Sequence, residues 1–361
     1  MSHSRSVVVI TGASAGHGRA VARAFARRGA DIGLLARGRD GLEAARREIE
    51  SLGGRAIAVP VDVADPQQLE AAADLVEREF GPITVWVNNA MASVFAPVMR
   101  TRPEEIKRAT EVTYLGAVYG TMTALRRMVP RDRGTIIEVG SVQAYRGMPL
   151  QAAYCAAKQA LRSFTESVRT ELLHDKSHVR VAMVRMPAMN TPQFVWTRNR
   201  MSHKVRPAPP LYQPEVGAEA VVWAADHDRR EIEVGVSTVL ARLVNKLLPA
   251  AVDRYLARTG YRMQQTEEFV DPDQPDNLWK PVEGDHGVYG PFNEKAATRS
   301  PGMWTTRHRG IMLAAVGMGA LAALSLAARR LPGRLPGPGR GAGLRGGLAT
   351  PMPSRRSVWG T

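Results

Sequence analysis

VVVITGASAGHGRAVARAFARRG, residues 7–29, sets the reading of this chain. Its first five residues, VVVIT (7–11), are apolar and mostly β-branched, as in a strand buried on both faces. Glycines follow at 12, 16 and 18. RAVARAFARRG (19–29) then carries helical spacing and stops at a glycine, where a helix C-cap wants one. A strand, a glycine turn and a helix in that order suit an anion. Gly12 allows a tight turn. Gly16 and Gly18 let the backbone and the helix N-terminus approach a pyrophosphate, which free N–H groups and the helix dipole attract. His17 sits inside the loop, placed either to lean toward phosphates or to pack over what binds there.

The same alternation continues outward. Short apolar runs recur at IGLLAR (32–37), AIAVPVDV (56–63), TVWVNN (84–89), TIIEVGS (135–141) and VRVAMVRM (179–186), with Ala/Arg/Glu-rich helical stretches between them. A further short strand is expected at EIEVG (231–235). Strand and helix in alternation imply right-handed crossovers. The expected fold class is therefore α/β: a doubly wound, Rossmann-type parallel sheet with helices on both faces, over residues 1–260.

Composition fits this. The chain has 361 residues, 44% hydrophobic and 23% charged, which is ordinary for a globular protein. One cysteine excludes an internal disulfide framework and suits a reducing compartment. The run at 7–11 is too short for a secretory signal. A net charge of +15 raises the question of nucleic acid, but seven arginines and no acidic residue lie from Arg329 onward. Much of the surplus therefore belongs to a tail, which argues against a nucleic-acid face on the folded part.

QAAYCAAKQALRSF (151–164) reads as an uninterrupted helix on which Tyr154 and Lys158, four residues apart, share a face. A phenol of ordinary pKa near 10 is a poor base at neutral pH. An ammonium one turn away would stabilise its phenolate. Ser141 ends the fifth strand, where open α/β sheets hold their ligands, and its hydroxyl could bond a reacting oxygen. Cys155 points about 100° away from Tyr154 on the helix and has no evident His base, so it reads as packing.

TGASAGHG (11–18), VDV (61–63), NNA (88–90), Ser141 and YCAAK (154–158), in register with six strands, resemble the short-chain dehydrogenase/reductase superfamily over residues 5–260. The resemblance implies hydride transfer between a nicotinamide dinucleotide and an alcohol or carbonyl compound. Tyr154 would be the general acid/base. Lys158 would lower its pKa and bond the nicotinamide ribose, and Ser141 would orient the carbonyl. Gly12, Ser14, Gly16, His17 and Gly18 would meet the phosphates and ribose. Asp62 and Val63 would border the adenine, Asn89 and Ala90 would line the cofactor, and Thr191 would lie near the nicotinamide. No metal is implied. At the end of the second strand stand Ala36 and Arg37 rather than a carboxylate, so a guanidinium awaits a ribose 2′-phosphate and NADP(H) is expected over NAD(H).

Three positions depart from the family pattern. Thr113 stands in EVTYLGAVYG (111–120) where an Asn usually supports a water that relays protons to the lysine, and it is expected to do that work with a hydroxyl. NNAM has Met91 for a glycine, which would crowd the cofactor. Pro187-Ala188 replaces Pro-Gly beside the nicotinamide.

Residues 189–213 should close over the substrate, with Phe194, Trp196, Met201 and Tyr212 making that cover apolar. Residues 261–306 are polar and rich in Pro, Asp and Gly, and read as an extension or linker. IMLAAVGMGALAALSLAA (311–328) has no charge over 18 residues and reads as a membrane anchor within 307–330. A buried helix is the alternative. The tail 331–361 has a disordered composition. The expectation is a membrane-associated oxidoreductase with its catalytic domain cytoplasmic, acting on a small apolar or lipid-like molecule. The family habit implies a homo-oligomer. Two alternatives stay open: a tethered NADP(H)-binding sensor or scaffold with little turnover, and a sugar-nucleotide epimerase.

Overall fold

The valine run at 7–11 lies at the centre of a seven-stranded parallel sheet in the computed structural model, which describes residues 5–308 and Met318. The sheet strands are β1 (Val7–Thr11), β2 (Asp31–Ala36), β3 (Arg55–Pro60), β4 (Val85–Asn88), β5 (Thr135–Ser141), β6 (Arg180–Met186) and β7 (Glu231–Glu233). Their spatial order is β3-β2-β1-β4-β5-β6-β7. All seven expected strands are present. The run at 56–63 stops being strand at Pro60, which leaves Asp62 and Val63 in a loop at the sheet's carboxyl end.

Both faces are covered, which is why the strands read as unbroken apolar runs. Helices α1 (Gly16–Ala26), α2 (Arg39–Ser51), α3 (Pro66–Phe80), α4 (Pro103–Thr110), α5 (Gly116–Met128), α6 (Ala152–His174) and α7 (Pro214–Asp226) make the layers. Alternate residues of one strand enter opposite cores: Val8 and Ile10 on one side, Val7 and Val9 on the other. α1 packs on α7, and α3 packs on α5. Local chemistry sets the boundaries. Asp65 caps α3 by accepting from the amides of Gln67 (2.9 Å) and Gln68 (3.3 Å), Pro66 opens it, and Gly81 ends it at φ +88°. A π-helical turn, Glu111–Leu115, joins α4 to α5.

The strand order reverses between β1 and β4, so a crevice opens outside their carboxyl ends. The glycine turn, Asn89, Ser141 and the start of α6 all reach that crevice. Two amphipathic helices, α8 (Val236–Leu247) and α9 (Pro249–Met263), come next along the chain.

The extension 261–306 is packed onto this unit rather than strung out as a linker. Gln265–Phe269 pairs antiparallel with His203–Val205, and Ala296–Ala297 pairs with Leu211–Tyr212. Leu278 and Val288 are buried. The expected anchor at 311–328, Met318 apart, and the tail at 331–361 lie outside the described residues. Among the described residues, no helix is long and apolar enough to cross a membrane.

Candidate active site

The glycine turn is built as its sequence requires. Gly12 and Gly16 have φ of +67° and +56°, the left-handed region that glycine occupies without strain. A Cβ on Gly12 would sit 2.9 Å from the Ala90 Cα, and one on Gly18 would overlap the Gly12 carbonyl oxygen. Asn89 braces the turn from the end of β4. Its amide nitrogen donates to the carbonyls of Thr11 (3.0 Å) and Gly12 (3.3 Å). The Thr11 hydroxyl in turn accepts from the backbone amides of Asn89 (2.9 Å) and Ala90 (3.1 Å). The result is a groove lined by Gly12, Ser14, Gly16, His17, Gly18, Arg37, Asp62, Val63, Asn89, Ala90 and Thr191. Every residue expected to touch the cofactor, Tyr154 and Lys158 apart, therefore reaches one groove. The backbone room left by the glycines fits a dinucleotide phosphate.

Two of these side chains are already engaged within the protein. His17 does not lean into the phosphate loop: its Nδ1 meets Asn89 Oδ1 at 2.8 Å, and its other edge faces Gly217 of α7. Burial lowers its pKa. Arg37 does not swing free at the groove's edge but is held there by the backbone. Its guanidinium donates to the carbonyls of Asn277, Leu278 (3.2 Å) and Trp279 (3.1 Å), all from the extension. Asp62 pairs with Arg108.

A second cavity, of about 640 Å³, adjoins the groove. His17, Asn89, Met91 and Thr191 line both spaces. Ser141, Tyr154 and Lys158 meet in this cavity. Lys158 is almost wholly buried and donates to the Val139 carbonyl at 2.7 Å, and its Nζ lies 5.7 Å from the centre of the Tyr154 ring. Burial pulls the lysine down to about 8, while the carboxyl of Glu138 holds it up in part. Burial pushes Tyr154 up to about 12, with the Ser141 hydroxyl pulling the other way. Cys155 is buried, and burial pushes its thiol up to about 11, so it is inert packing as read.

Thr113 lines neither space. Its hydroxyl donates to the Ala92 carbonyl at 2.8 Å and accepts from the Ala92 amide at 2.9 Å. It ties the NNAM loop to the π-helical turn, and the hydroxyl's only proton is committed there. Met91 does not have the left-handed backbone that would demand a glycine. Its side chain instead stands where groove and cavity meet. Ala188 lines the cavity and pairs in register with Leu211.

The cavity is mostly apolar. Phe95, Met148, Phe194, Val252, Leu256 and Met263 are among its lining residues. Of the expected apolar cover, Phe194 is in place. Trp196 faces the dinucleotide groove, Met201 packs beside Val205, and Tyr212 is in the core. Helix α9 supplies lining residues that sequence reasoning missed, although LLPAAVDRYLARTGYRM (247–263) carries a helical apolar stripe. The groove residues of the extension were also missed, because a polar Pro/Gly-rich segment has no period to read. Glu138 was visible as a carboxyl inside an apolar strand. It is fully buried, accepts from Asn88 (2.9 Å) and Thr121 (2.6 Å), and burial raises its pKa to about 7.

A family model described as short chain dehydrogenase matches residues 6–201. The uncharacterized oxidoreductase YxnA of Bacillus subtilis is 32% identical over 324 residues, 88% of this chain and 89% of its own. A span of that length runs through all of 261–306. The fatty acyl-CoA reductase of Acinetobacter baylyi is 30% identical over 220 residues, 60% of this chain and 72% of its own. Among solved structures, an alcohol dehydrogenase from the archaeon Thermococcus sibiricus, complexed with 5-hydroxy-NADP, is similar with a TM-score of 0.55 at 26% identity, covering 63% of this chain and 95% of that one.

Proposed function

On the premise that this chain belongs to the short-chain dehydrogenase family, and is therefore an oxidoreductase of CH–OH or carbonyl groups with NAD(P), we propose that it interconverts an apolar, lipid-like alcohol and its ketone or aldehyde with NADP(H). One observation carries this reading: Ser141, Tyr154 and Lys158 meet in a mostly apolar cavity that adjoins a glycine-walled groove. The dinucleotide, when bound, supplies the hydride. The protein's own groups do the rest. The Ser141 hydroxyl donates to the substrate oxygen and fixes its position. Tyr154 gives its proton to that oxygen in reduction and takes one in oxidation. Lys158, held by the Val139 carbonyl, sets a positive charge beside the phenol. A phenol at about 12 gives its proton only as negative charge develops on the oxygen.

Arg37 at the end of β2, with no carboxylate there, supports NADP(H) over NAD(H). So does the NADP analogue in the archaeal alcohol dehydrogenase. The cavity lining supports an apolar substrate, as does likeness to a fatty acyl-CoA reductase. The uncharged run 311–328 supports tethering to a membrane, with the catalytic domain on the cytoplasmic side where NADPH is available. Homo-oligomer formation is the family's habit and is proposed on that ground alone.

The test is a panel of long-chain and short-chain alcohols and carbonyl compounds with NADPH and NADH, run on wild type and Tyr154→Phe. Turnover that survives Tyr154→Phe unchanged would refute the mechanism. Dinucleotide binding with no turnover across the panel would favour the sensor. Deleting residues 307–361 should release the protein from membranes, and a full-length chain already free of them would refute the tether.

A further inference from the structure

The outer side of the dinucleotide groove is walled by a segment distant in sequence. Asn277, Pro281, Val282, Gly284 and His286 line it, facing the glycine turn. These residues lie in the polar extension, beyond the part that the family model matches. They are fastened to the groove along its length. Leu278 and Trp279 offer carbonyls to Arg37, and the Leu278 carbonyl also accepts from Arg108 Nε at 3.2 Å. The Gly284 amide donates to Asp40 at the start of α2 (3.1 Å), and Asp285 forms an ion pair with Arg19 of α1. The Gly16 amide, inside the glycine turn itself, donates to the Gly287 carbonyl at 2.9 Å. Two plugs hold the ends: Leu278 enters the core on one face of the sheet, and Val288 the core on the other.

The charges at this end do not balance. Arg108 takes the Asp62 carboxylate. Arg37 has carbonyl partners and, among the described residues, no ion pair. Carbonyl dipoles orient a guanidinium without neutralising it, so a formal positive charge is held at the groove's edge, ready for an anion.

We infer that residues 277–287 are part of the cofactor site: they form the outer wall of its adenosine subsite and hold Arg37 in the position from which it reads a ribose phosphate. The inference rests on the dinucleotide reading above and extends it. A dinucleotide in this groove lies between the glycine turn and the wall. The bonds to Arg37, Asp40, Arg19 and Gly16 hold that wall against it and slow its exit. Weakening the wall therefore acts on release, and on the choice between phosphorylated and plain ribose, more than on the chemistry at Tyr154.

The experiment measures NADPH release by stopped-flow fluorescence and affinities for NADPH and NADH, in wild type, Asp285→Asn and Leu278→Ala. Asp285→Asn is isosteric and removes one ion pair at a partly exposed site. Leu278→Ala removes a buried plug, and circular dichroism checks that it folds. NADPH should leave each variant about tenfold faster, and the preference for NADPH over NADH should shrink. In wild type, NADPH should slow hydrogen exchange at the backbone amides of 277–287. Wild-type release rates in both folded variants, with exchange at those amides unaffected by NADPH, would overturn the wall while leaving the dinucleotide reading intact. A wild type that binds neither dinucleotide would overturn both.

Discussion

Thr113 and Ala92 are tied by a reciprocal pair of hydrogen bonds: the Thr113 hydroxyl donates to the Ala92 carbonyl at 2.8 Å and accepts from the Ala92 amide at 2.9 Å. Both residues are buried. The pair clamps the loop after β4 to the π-helical turn between α4 and α5, and that loop carries Asn89, Ala90 and Met91 into the groove.

Removing the Thr113 hydroxyl strands two buried backbone groups. Thr113→Val keeps the shape and loses both bonds, and should cost ~1–3 kcal/mol in urea unfolding. Thr113→Ser should recover most of it. Affinity for the dinucleotide should fall in the valine variant, because Asn89 and Ala90 lose their anchor. Wild-type stability in Thr113→Val would show that the clamp does nothing.

Tyr154→Phe keeps the ring and its packing but deletes the transferable proton. Turnover should drop by roughly 10²–10⁴, the usual worth of a positioned acid/base. Dinucleotide affinity, measured by fluorescence titration, should stay within a few-fold of wild type.

Glu138 gives a stability effect with a definite sign. Burial raises its folded pKa to about 7 from a usual value of 4.5. Its protonated form is the one the fold prefers. Its favourable contribution is complete below pH 4.5 and is lost as pH rises through about 7. Glu138→Gln mimics the protonated form and can still accept from Asn88 and Thr121. The variant's melting temperature relative to wild type should therefore be higher at pH 8 than at pH 5, with a difference worth up to ~3 kcal/mol. A difference that ignores pH would mean Glu138 titrates normally.

Lys158 works in the opposite sense. Burial brings its folded pKa down to about 8 from 10.5, so the folded state prefers the neutral amine. That preference stabilises the fold above pH 10.5 and is lost as pH falls through about 8. For activity, the charge beside Tyr154 is present below about 8 and disappears above it. The pH profile of kcat should carry a descending limb near 8. In Glu138→Gln that limb should move to lower pH, because the carboxylate no longer holds the ammonium's charge in place.

Gly18→Ala should abolish dinucleotide binding or prevent folding. The added methyl would overlap the Gly12 carbonyl oxygen, which is backbone in the phosphate turn and has nowhere to go. Gly29→Ala is a control: that glycine also ends a local element, with φ +75°, but a Cβ there meets nothing within 4 Å. It should cost only the left-handed backbone strain, about 1 kcal/mol, and leave binding alone.

Sequence alone determined the sheet, the glycine turn and the meeting of Ser141, Tyr154 and Lys158. Each is a local pattern. A strand buried on both faces must be apolar throughout, as at 7–11. A backbone that approaches a phosphate must be glycine, as at 12, 16 and 18. A phenol and an ammonium sharing one helical face must be four residues apart. Tertiary structure decided what those residues touch. Arg37 looked free because its partners are backbone carbonyls about 240 positions later, and a carbonyl has no sequence signature. Thr113 looked like a water holder because the Ala92 backbone that absorbs its hydroxyl is equally silent in sequence. The middle of the extension, 277–288, looked like a linker because it is held by scattered single contacts, Leu278, Asp285 and Val288, rather than by a repeating face. A periodic face is legible because every turn repeats the same burial. A wall pinned at isolated points repeats nothing, and only the fold brings its points together.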